Sequence, residues 1–316
     1  MTDRVAAVVF EQPGQLAVRP VGLSEPGDGD CVVDVEWSGI STGTERLLWQ
    51  GRMPAFPGLG YPLVPGYESV GRVSAVGSSC ALHVGQRVFV PGSRGFTDVH
   101  GLFGGAAERL VVNAGRVTPL AENLGEEATL LALAATAYRA VTRGPADTLP
   151  DLVIGHGVLG RLAARTILAL GGPAPTVWET QVARRSGAQG YTAIDPESDA
   201  RSDYRLICDA SGAPDLLDRL IARLAPAGCV ILAGFYQEPV SFTFPPAFMR
   251  EAQLRISAEW QATDLVRVTE LLTSGALSLD GLITHRSPAA KAEPAYEQAF
   301  ADVDCLKMIL DWRSTK

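Results

Sequence analysis

The chain has 316 residues, of which 47% are hydrophobic and 20% charged, and its formal net charge is −8. This composition predicts a globular protein of roughly two domains, and an acidic chain without a basic run is a poor candidate for binding nucleic acid. The N-terminal segment lacks a signal peptide's apolar core, and no stretch reaches the ~18 apolar residues of a membrane span. Five scattered cysteines are typical of free thiols in a reducing compartment, so we expect a cytoplasmic protein.

Short β-rich runs separated by glycine and proline dominate residues 1–118; examples are AAVVF, CVVDVEW, GRVSAVG, QRVFV and ERLVV. This alternation predicts an antiparallel, partly barrel-like β domain. Residues 119–254 begin with GEEATLLALAATAYRAVTR, which has helical spacing, and then alternate buried strands with helices, including PDLLDRLIARLA. That order predicts an α/β domain with a doubly wound parallel sheet. Residues 255–316, from the strand-like RISAEW to CLKMILDW, are expected to complete the sheet and return to the first domain.

A glycine motif, VIGHGVLGR at residues 153–161, follows the first buried strand of the second domain. Gly155 permits a tight turn, Gly157 lets the backbone approach a pyrophosphate, and Gly160 lets the helix pack closely on the strand. Free N–H groups at the start of the helix would face the phosphate charge. The motif therefore predicts a dinucleotide site, the alternative being a glycine-rich turn with no ligand.

The residue type at position 179 indicates which dinucleotide binds. Glu179 ends the next strand, where a carboxylate accepts hydrogen bonds from the adenosine ribose hydroxyls and repels a 2′-phosphate. NAD is therefore favoured over NADP. Arg184 and Arg185 lie just beyond, and an arginine there could hold a 2′-phosphate; a solvated helix face is the alternative for both.

The ends of later parallel strands, DASG at 209–212 and GFY at 234–236, should border the nicotinamide, because ligands bind outside the carboxyl ends of such strands. Ordinary turn chemistry is the alternative for these two segments. The candidate cofactor residues are Gly155, His156, Gly157, Val158, Leu159, Gly160, Glu179, Thr180, Arg184, Ala210, Ser211, Gly212, Gly234, Phe235 and Tyr236.

Five segments together resemble the medium-chain dehydrogenase/reductase superfamily over nearly the whole chain: SGIS, PGYESVGRVSAVG, AATAYRAV, GHGVLG and LITHR. A closer resemblance, carried by WSGISTGTE, YPLVPGYESVG, GLFGGA, LITHR and DCLKMILDW, is to those members that oxidise the hydroxyethyl group of a bacteriochlorophyllide. The resemblance implies a GroES-like β domain, a Rossmann domain and a homodimer formed through the cofactor domain. It also implies a bacteriochlorophyllide substrate. Because such a pigment is apolar, transient contact of the protein with a membrane surface is left open.

The resemblance departs at the metal sites of the superfamily's zinc enzymes. Where those enzymes have a cysteine, a histidine and a third ligand, this chain has Ser41, Tyr67 and the apolar segment LLALAA. Hydroxyl and aliphatic groups are poor zinc ligands, and Glu68 alone cannot hold a catalytic zinc. The superfamily's structural zinc needs four closely spaced cysteines, whereas no cysteine lies between Cys80 and Cys208. We therefore expect no metal.

Without zinc, a side chain or solvent must take the proton of the alcohol. Tyr67 is the first candidate, and Glu68, Ser41 and Thr44 would complete a relay; Tyr67 as a filler of the vacated metal site is the alternative. A phenol of pKa ~10 would need that pKa lowered to act as a base near neutrality.

Aromatic residues are expected to line a broad pocket for a flat apolar substrate, with core packing as the alternative for each. The candidates are Trp37, Trp49, Phe56, Tyr61, Phe103 and Trp260. Two other functions stay open from the sequence: a zinc-free quinone or enone reductase, and a non-catalytic NAD-binding protein.

Overall fold

The computed structural model describes residues 4–55, 57–145 and 148–315. Its contacts divide the chain into two compact units: unit 1 is Met1–Ala132 with Leu282–Lys316, and unit 2 is Leu133–Gly281. Unit 1 is therefore assembled from two separate pieces of chain.

Unit 1 begins as a β-rich domain. Its N-terminal piece contains β1 (Arg4–Gln12), β2 (Gln15–Gly22), β3 (Asp30–Ile40), α1 (Thr44–Trp49), β4 (Ser69–Val76), β5 (Arg87–Val90), β6 (Arg109–Asn113) and β7 (Thr118–Pro119). Along β3, Cys31, Val33 and Val35 are buried while the residues between them are partly exposed, which is the period of two expected for a strand with one face on a core.

Unit 2 alternates strands and helices. Its elements, starting with a helix that crosses the boundary between the units, are α2 (Leu131–Val141), β8 (Leu152–Ile154), α3 (Val158–Ala169), β9 (Thr176–Trp178), β10 (Thr192–Ile194), β11 (Tyr204–Asp209), α4 (Leu217–Ala222), β12 (Leu224–Leu232), α5 (Phe244–Met249), β13 (Gln253–Ile256) and α6 (Ala262–Thr273). The strands form a parallel sheet in the order β10-β9-β8-β11-β12-β13. The order reverses beside β8, as in a doubly wound fold.

The C-terminal piece returns to unit 1 through β14 (His285–Pro288), α7 (Ala292–Ala301) and β15 (Met308–Asp311). β15 pairs antiparallel with β3, so that Met308 lies opposite Ile40, and this pairing adds β15 and β14 to the larger sheet of unit 1. That sheet runs β14-β15-β3-β4-β5-β7, with β6 also paired to β3, while β1 and β2 pair separately. The predicted combination of an antiparallel β domain and a parallel-sheet domain is confirmed.

Several element boundaries differ from the sequence prediction. The helix expected over residues 125–143 starts as a 3-10 turn, Glu126–Leu130, which contacts β3 and β4, so this stretch belongs to unit 1 and not to the domain predicted from residue 119. The parallel sheet ends at β13, and RISAEW contributes only its first two residues to that strand. β13 and α6 fall within unit 2, so the C-terminal division lies after Gly281 and not after residue 254.

Within the described ranges, no helix combines the length and the apolar composition needed to cross a membrane. All five cysteines are free thiols, and Cys80 is the one that is partly exposed.

Candidate active site and dinucleotide turn

Three hydroxyl-bearing side chains of unit 1 come together where β3 ends and α1 begins; we call Ser41, Thr44 and Tyr67 the hydroxyl cluster. The Tyr67 hydroxyl lies 2.7 Å from Ser41 Oγ, and the Thr44 side chain also hydrogen-bonds to Tyr67. The Phe103 ring packs edge-on against the Tyr67 ring, with centroids 5.2 Å apart. Two residues at the expected metal-ligand positions, Ser41 and Tyr67, are thus bonded to each other.

Tyr67 is not set up to ionise. Burial and the neighbouring Glu68 carboxylate raise the pKa of its phenol, and the hydrogen bonds from Ser41 and Thr44 only partly oppose this. The lowered pKa that a tyrosine base would require is therefore not found. Tyr67 is held as a neutral phenol, which can pass a proton on but does not act as a phenolate.

Glu68 forms an ion pair with a buried lysine. Its Oε2 lies 2.5 Å from Lys307 Nζ, and the same ammonium donates to the Ile40 carbonyl at 3.2 Å. Glu68 is 0% and Lys307 1% exposed. Burial raises the pKa of Glu68, with Lys307 opposing the shift, and among the described residues Glu68 Oε1 has no hydrogen-bond partner. The interpretation of Glu68 as a member of the relay is corrected: it belongs to a buried ion pair.

A second buried carboxylate, Glu45 on α1, hydrogen-bonds to the backbone of Ser41 in the hydroxyl cluster. Its Oε1 accepts from the Ser41 backbone N–H at 3.0 Å, and its Oε2 accepts from the Tyr296 hydroxyl at 2.5 Å. Burial raises the pKa of Glu45 to about 7, with Glu68 adding to the shift and Tyr296, Ser41 and Lys307 opposing it. We call Glu45, Glu68, Tyr296 and Lys307 the carboxylate cluster.

The sequence analysis missed three members of the carboxylate cluster: Glu45, Tyr296 and Lys307. One signal was present for Lys307, which interrupts the apolar run of CLKMILDW, because a buried lysine needs a carboxylate or carbonyl partner. Nothing local pointed to Tyr296.

The glycine turn of unit 2 has the geometry that a dinucleotide requires. Gly155 has a φ of +90°, which favours glycine, and a Cβ built on Gly160 would clash with the Gly155 carbonyl. A Cβ on Gly157 would meet nothing within 4 Å, so the backbone there is open to a ligand. Gly157 also caps α3, whose first turn leaves N–H groups without helical partners. These residues fit a pyrophosphate.

Glu179 follows β9 directly and is already fixed by backbone groups. Its Oε2 accepts from the His156 N–H at 3.0 Å and its Oε1 from the Gln181 N–H at 2.8 Å. Each carboxylate oxygen has further acceptor capacity, which fits the two hydroxyls of a ribose. Arg185 donates to the Glu179 and Thr180 carbonyls and to Asp195, so it acts as a structural tie and not as a solvated side chain.

The two strand-end loops predicted to border the nicotinamide pack against each other. A Cβ on Gly234 would lie 2.5 Å from the Gly212 N, so this approach requires glycine. Asp209 accepts from the Ser211 hydroxyl at 2.6 Å and from the Tyr236 hydroxyl at 2.8 Å. The Ser211 and Tyr236 hydroxyls are thereby directed to Asp209, and burial is the first cause of the raised pKa of this carboxyl group. The Phe235 side chain, in contrast, is exposed.

The remaining cofactor candidates lie in their predicted segments but differ in accessibility. Leu159 and Ala210 are partly buried, Val158 is buried and Thr180 is exposed. The His156 side chain is 0% exposed and bonds to the protein through both ring nitrogens. The ring of this candidate is therefore engaged within the protein, and the place of His156 among the cofactor residues stays a prediction.

The aromatic candidates that the structure describes have different environments, and the Phe103 ring contacts Tyr67 of the hydroxyl cluster. The guanidinium of Arg313 lies 4.6 Å from the centroid of Trp37, Trp49 packs edge-on against Phe10, and the Tyr61 hydroxyl donates to the Leu48 carbonyl. These three are engaged within unit 1, so core packing accounts for them. Trp260 is partly buried in unit 2, and Phe56 lies outside the described residues.

Residues suited to zinc are not brought together. Across residues 4–55, 57–145 and 148–315, no three His, Cys, Asp or Glu side chains form a group that could hold a metal ion. The donors at the superfamily's catalytic position are two hydroxyls bonded to each other, and this set does not fit zinc.

A β domain carrying a hydroxyl cluster, joined to a parallel-sheet unit with a dinucleotide turn, defines a medium-chain alcohol dehydrogenase. Residues 27–122 match the model of the alcohol dehydrogenase GroES-like domain. The chain is 57% identical over 98% of its length to 2-desacetyl-2-hydroxyethyl bacteriochlorophyllide A dehydrogenase of Rhodobacter capsulatus, and 55% identical over 99% to that of Cereibacter sphaeroides, covering 98% and 99% of those proteins.

Solved structures agree on the fold. Acetophenone reductase of Geotrichum candidum, solved in complex with NAD, aligns with 98% of this chain and 98% of its own at a TM-score of 0.83 and 18% identity. The chain belongs to the medium-chain dehydrogenase/reductase superfamily and, within it, to the same family as the two bacterial dehydrogenases. It is an alcohol oxidoreductase, and the non-catalytic interpretation is set aside.

Proposed function

We propose that the chain oxidises the 3-(1-hydroxyethyl) group of a bacteriochlorophyllide to a 3-acetyl group, with NAD and without zinc. The substrate assignment rests on sequence identities of 57% and 55%, over nearly the full length, to two dehydrogenases that have this substrate in their names. The hydroxyl cluster at the expected zinc position supports the zinc-free part. The alternative of a quinone or enone reductase lacks such support.

The oxidation removes a hydride from the carbinol carbon and a proton from its oxygen, so that the C–O bond becomes a carbonyl. The acceptor of the hydride would be supplied by NAD when it is bound. We assign the proton to the hydroxyl cluster: Tyr67 receives it from the alcohol while releasing its own proton to Ser41 or Thr44, and the proton then reaches solvent. Because the phenol pKa is raised, this concerted relay never needs a free phenolate.

The substrate itself lowers the demand on the protein. Its hydroxyl-bearing carbon is attached directly to the bacteriochlorin ring, and conjugation with that ring stabilises the positive charge that develops as hydride departs. Positioning plus a weak relay is then sufficient in place of a metal. Phe103, which packs on Tyr67, is the aromatic candidate that we assign to contact with the flat ring.

The proposed cofactor is NAD in preference to NADP. The turn from Gly155 to Gly157 and the first N–H groups of α3 would hold the pyrophosphate, and Glu179 would accept from the ribose hydroxyls. A 2′-phosphate beside the Glu179 carboxylate would meet charge repulsion, which supports the preference.

The test uses the purified protein with NAD⁺ and hydroxyethyl bacteriochlorophyllide, following the absorption bands of the pigment and of NADH. We expect one NADH for each acetyl product, no stoichiometric zinc by elemental analysis, and full activity after chelation. If the pigment is not converted, the proposed substrate is wrong. About one zinc per chain, lost together with activity on chelation, would overturn the zinc-free mechanism.

The homodimer and the cytoplasmic site of action also stay proposals. β13 is the edge of the parallel sheet, and Phe248, Met249 and Ile256 at or beside it are 65%, 78% and 66% exposed, which supports pairing between two copies at this edge. Sedimentation should give a dimer that Ile256→Lys weakens. Binding of that variant and of the parent to anionic vesicles tests whether this face contacts membranes instead. The free thiols support a reducing cytoplasm.

A further inference from the structure

His156, the residue between the first two glycines of the motif, uses all four of its polar atoms. Its N–H donates to Glu179 and its carbonyl accepts from Arg161 Nε at 2.9 Å. Its Nδ1 lies 2.6 Å from the Arg184 carbonyl, and its Nε2 lies 2.8 Å from the Tyr191 hydroxyl. The glycine turn itself requires none of these side-chain bonds, because its geometry rests on Gly155 and Gly160.

The partners fix the direction of each hydrogen bond. A carbonyl oxygen only accepts, so Nδ1 carries the hydrogen and donates to Arg184 O, and the bare Nε2 accepts from the Tyr191 hydroxyl. Arg165 also bonds to the Tyr191 side chain and, as a cation, must be the donor. Burial and the nearby arginines lower the pKa of His156, which agrees with a neutral ring. The donors run from Arg165 to Tyr191 to His156, and the chain ends on the Arg184 carbonyl, which accepts.

Arg161 adds a second tie between the same two segments. Its Nη2 donates to the Arg184 carbonyl at 3.0 Å and to the Ser186 carbonyl at 2.8 Å, while its Nε holds the His156 carbonyl. The Arg184 carbonyl therefore receives two donors from the side of the glycine turn. We call His156, Arg161 and Tyr191 the histidine network.

We propose that His156 is a positioning residue that joins the pyrophosphate turn to the segment holding the adenosine ribose. The turn at Gly155–Gly157 and the chain from Glu179 to Ser186 would bind two neighbouring parts of one dinucleotide, its pyrophosphate and its adenosine ribose, and the histidine network sets the spacing between them. The proposal rests on the dinucleotide use given above. An apolar residue in place of His156 would leave the Tyr191 hydroxyl without its acceptor and Arg184 O with one donor fewer.

The test measures NADH binding by fluorescence titration, which does not depend on the pigment substrate. For His156→Ala we expect the Kd of NADH to rise about tenfold, corresponding to the loss of roughly one to two hydrogen bonds. Tyr191→Phe, which removes a single donor, should give a smaller rise. At saturating NAD the kcat should stay within about twofold, since positioning of the cofactor acts on binding. His83→Ala, at an exposed histidine of unit 1, is the control.

A double-mutant cycle separates positioning from general loss of stability. If His156 acts through Glu179, His156→Ala should cost less in a Glu179→Ala background than in the parent, because neighbours that share a function are not additive. Additive losses, or an unchanged Kd in a folded His156→Ala or Tyr191→Phe protein, would overturn the proposal. Should His156→Ala not fold, Tyr191→Phe decides alone. Equal binding of NADPH and NADH by the parent would refute the preference for NAD and leave the network test unaffected.

Discussion

The carboxylate cluster of unit 1 and the histidine network of unit 2 are both buried and polar, yet they are built on opposite principles. The first places two carboxylates against one ammonium and leaves Glu68 Oε1 without a described partner. The second uses arginine donors and a neutral imidazole directed at backbone carbonyls. Burial, with Glu68 nearby, raises the pKa of Glu45 to about 7, so the carboxylate cluster can exchange a proton near neutrality. Burial lowers the pKa of His156, so the histidine network holds its partners with a neutral imidazole.

The largest expected effect comes from removing the single cation of the carboxylate cluster. Lys307→Met leaves Glu68 buried without a counter-charge, which should lower the free energy of unfolding by about 3–5 kcal/mol. Urea denaturation measures this. Adding Glu68→Gln to Lys307→Met should restore most of the loss, and a single variant as stable as the parent would show that the cluster is not governed by charge.

Glu45 should make the stability of the protein depend on pH. Its folded-state pKa of about 7 lies above the usual 4.5, so its contribution is fully present below about pH 4.5 and is lost as the pH rises through 7. A shift of this size corresponds to up to about 3 kcal/mol. Glu45→Gln should remove that slope between pH 4.5 and 7, as seen in the difference between the two unfolding curves. The other titratable groups around the Glu45 carboxyl are present in both proteins: Glu68, Lys307, Tyr296 and Tyr67. Parallel curves of stability against pH for the parent and Glu45→Gln would therefore refute the assignment.

Tyr67→Phe tests whether the hydroxyl cluster performs chemistry. The change keeps the ring and removes the hydroxyl, so kcat should fall by at least ~10²-fold if Tyr67 relays the proton. NADH affinity should not change, because Tyr67 is not part of the glycine turn. Turnover within a few-fold of the parent, with loss only in Tyr67→Ala, would instead favour Tyr67 as a filler of the vacated metal site.

A smaller effect than at Lys307 is expected at Glu179, whose carboxylate accepts from the His156 N–H and is proposed to bind the cofactor ribose. Glu179→Ala should weaken NADH binding by ~1.5–3 kcal/mol, the range for hydrogen bonds to a charged group, and narrow the preference over NADPH. Parallel titrations with both nucleotides measure it. A parent enzyme that already accepts both equally would contradict the role given to this carboxylate.

What the sequence could predict follows from how locally each feature is encoded. The glycine turn needs only residues within one strand–helix connection. The pairing of Ser41 with Tyr67 was implied by the resemblance to the zinc enzymes, whose ligand positions these two residues occupy. The carboxylate cluster depends on partners 239 and 251 positions apart, Glu68 with Lys307 and Glu45 with Tyr296. Lys307 reaches Glu68 where β15 pairs with β3 in one register, and Tyr296 reaches Glu45 from α7. No local pattern in the sequence specifies either contact.

The direction of the Tyr67 pKa was missed for the same reason. From the sequence, Glu68 is simply the neighbour of Tyr67 and a natural member of a relay. In the structure burial, followed by the Glu68 carboxylate, raises the phenol pKa of Tyr67, and Glu68 directs its own Oε2 to Lys307. The burial of Tyr67 and the distant partner of Glu68 together change the interpretation of these two adjacent residues.

The split of unit 1 into two pieces of chain has a consequence for the newly made protein. Lys307 is translated long after Glu68, and at roughly 5–20 residues per second the interval is on the order of 10–50 s. During that time β3 lacks β15 and the Glu68 carboxylate lacks its counter-ion. The nascent β domain should therefore stay incomplete on the ribosome while unit 2 is free to fold, and the pace of translation becomes part of how the active site is built.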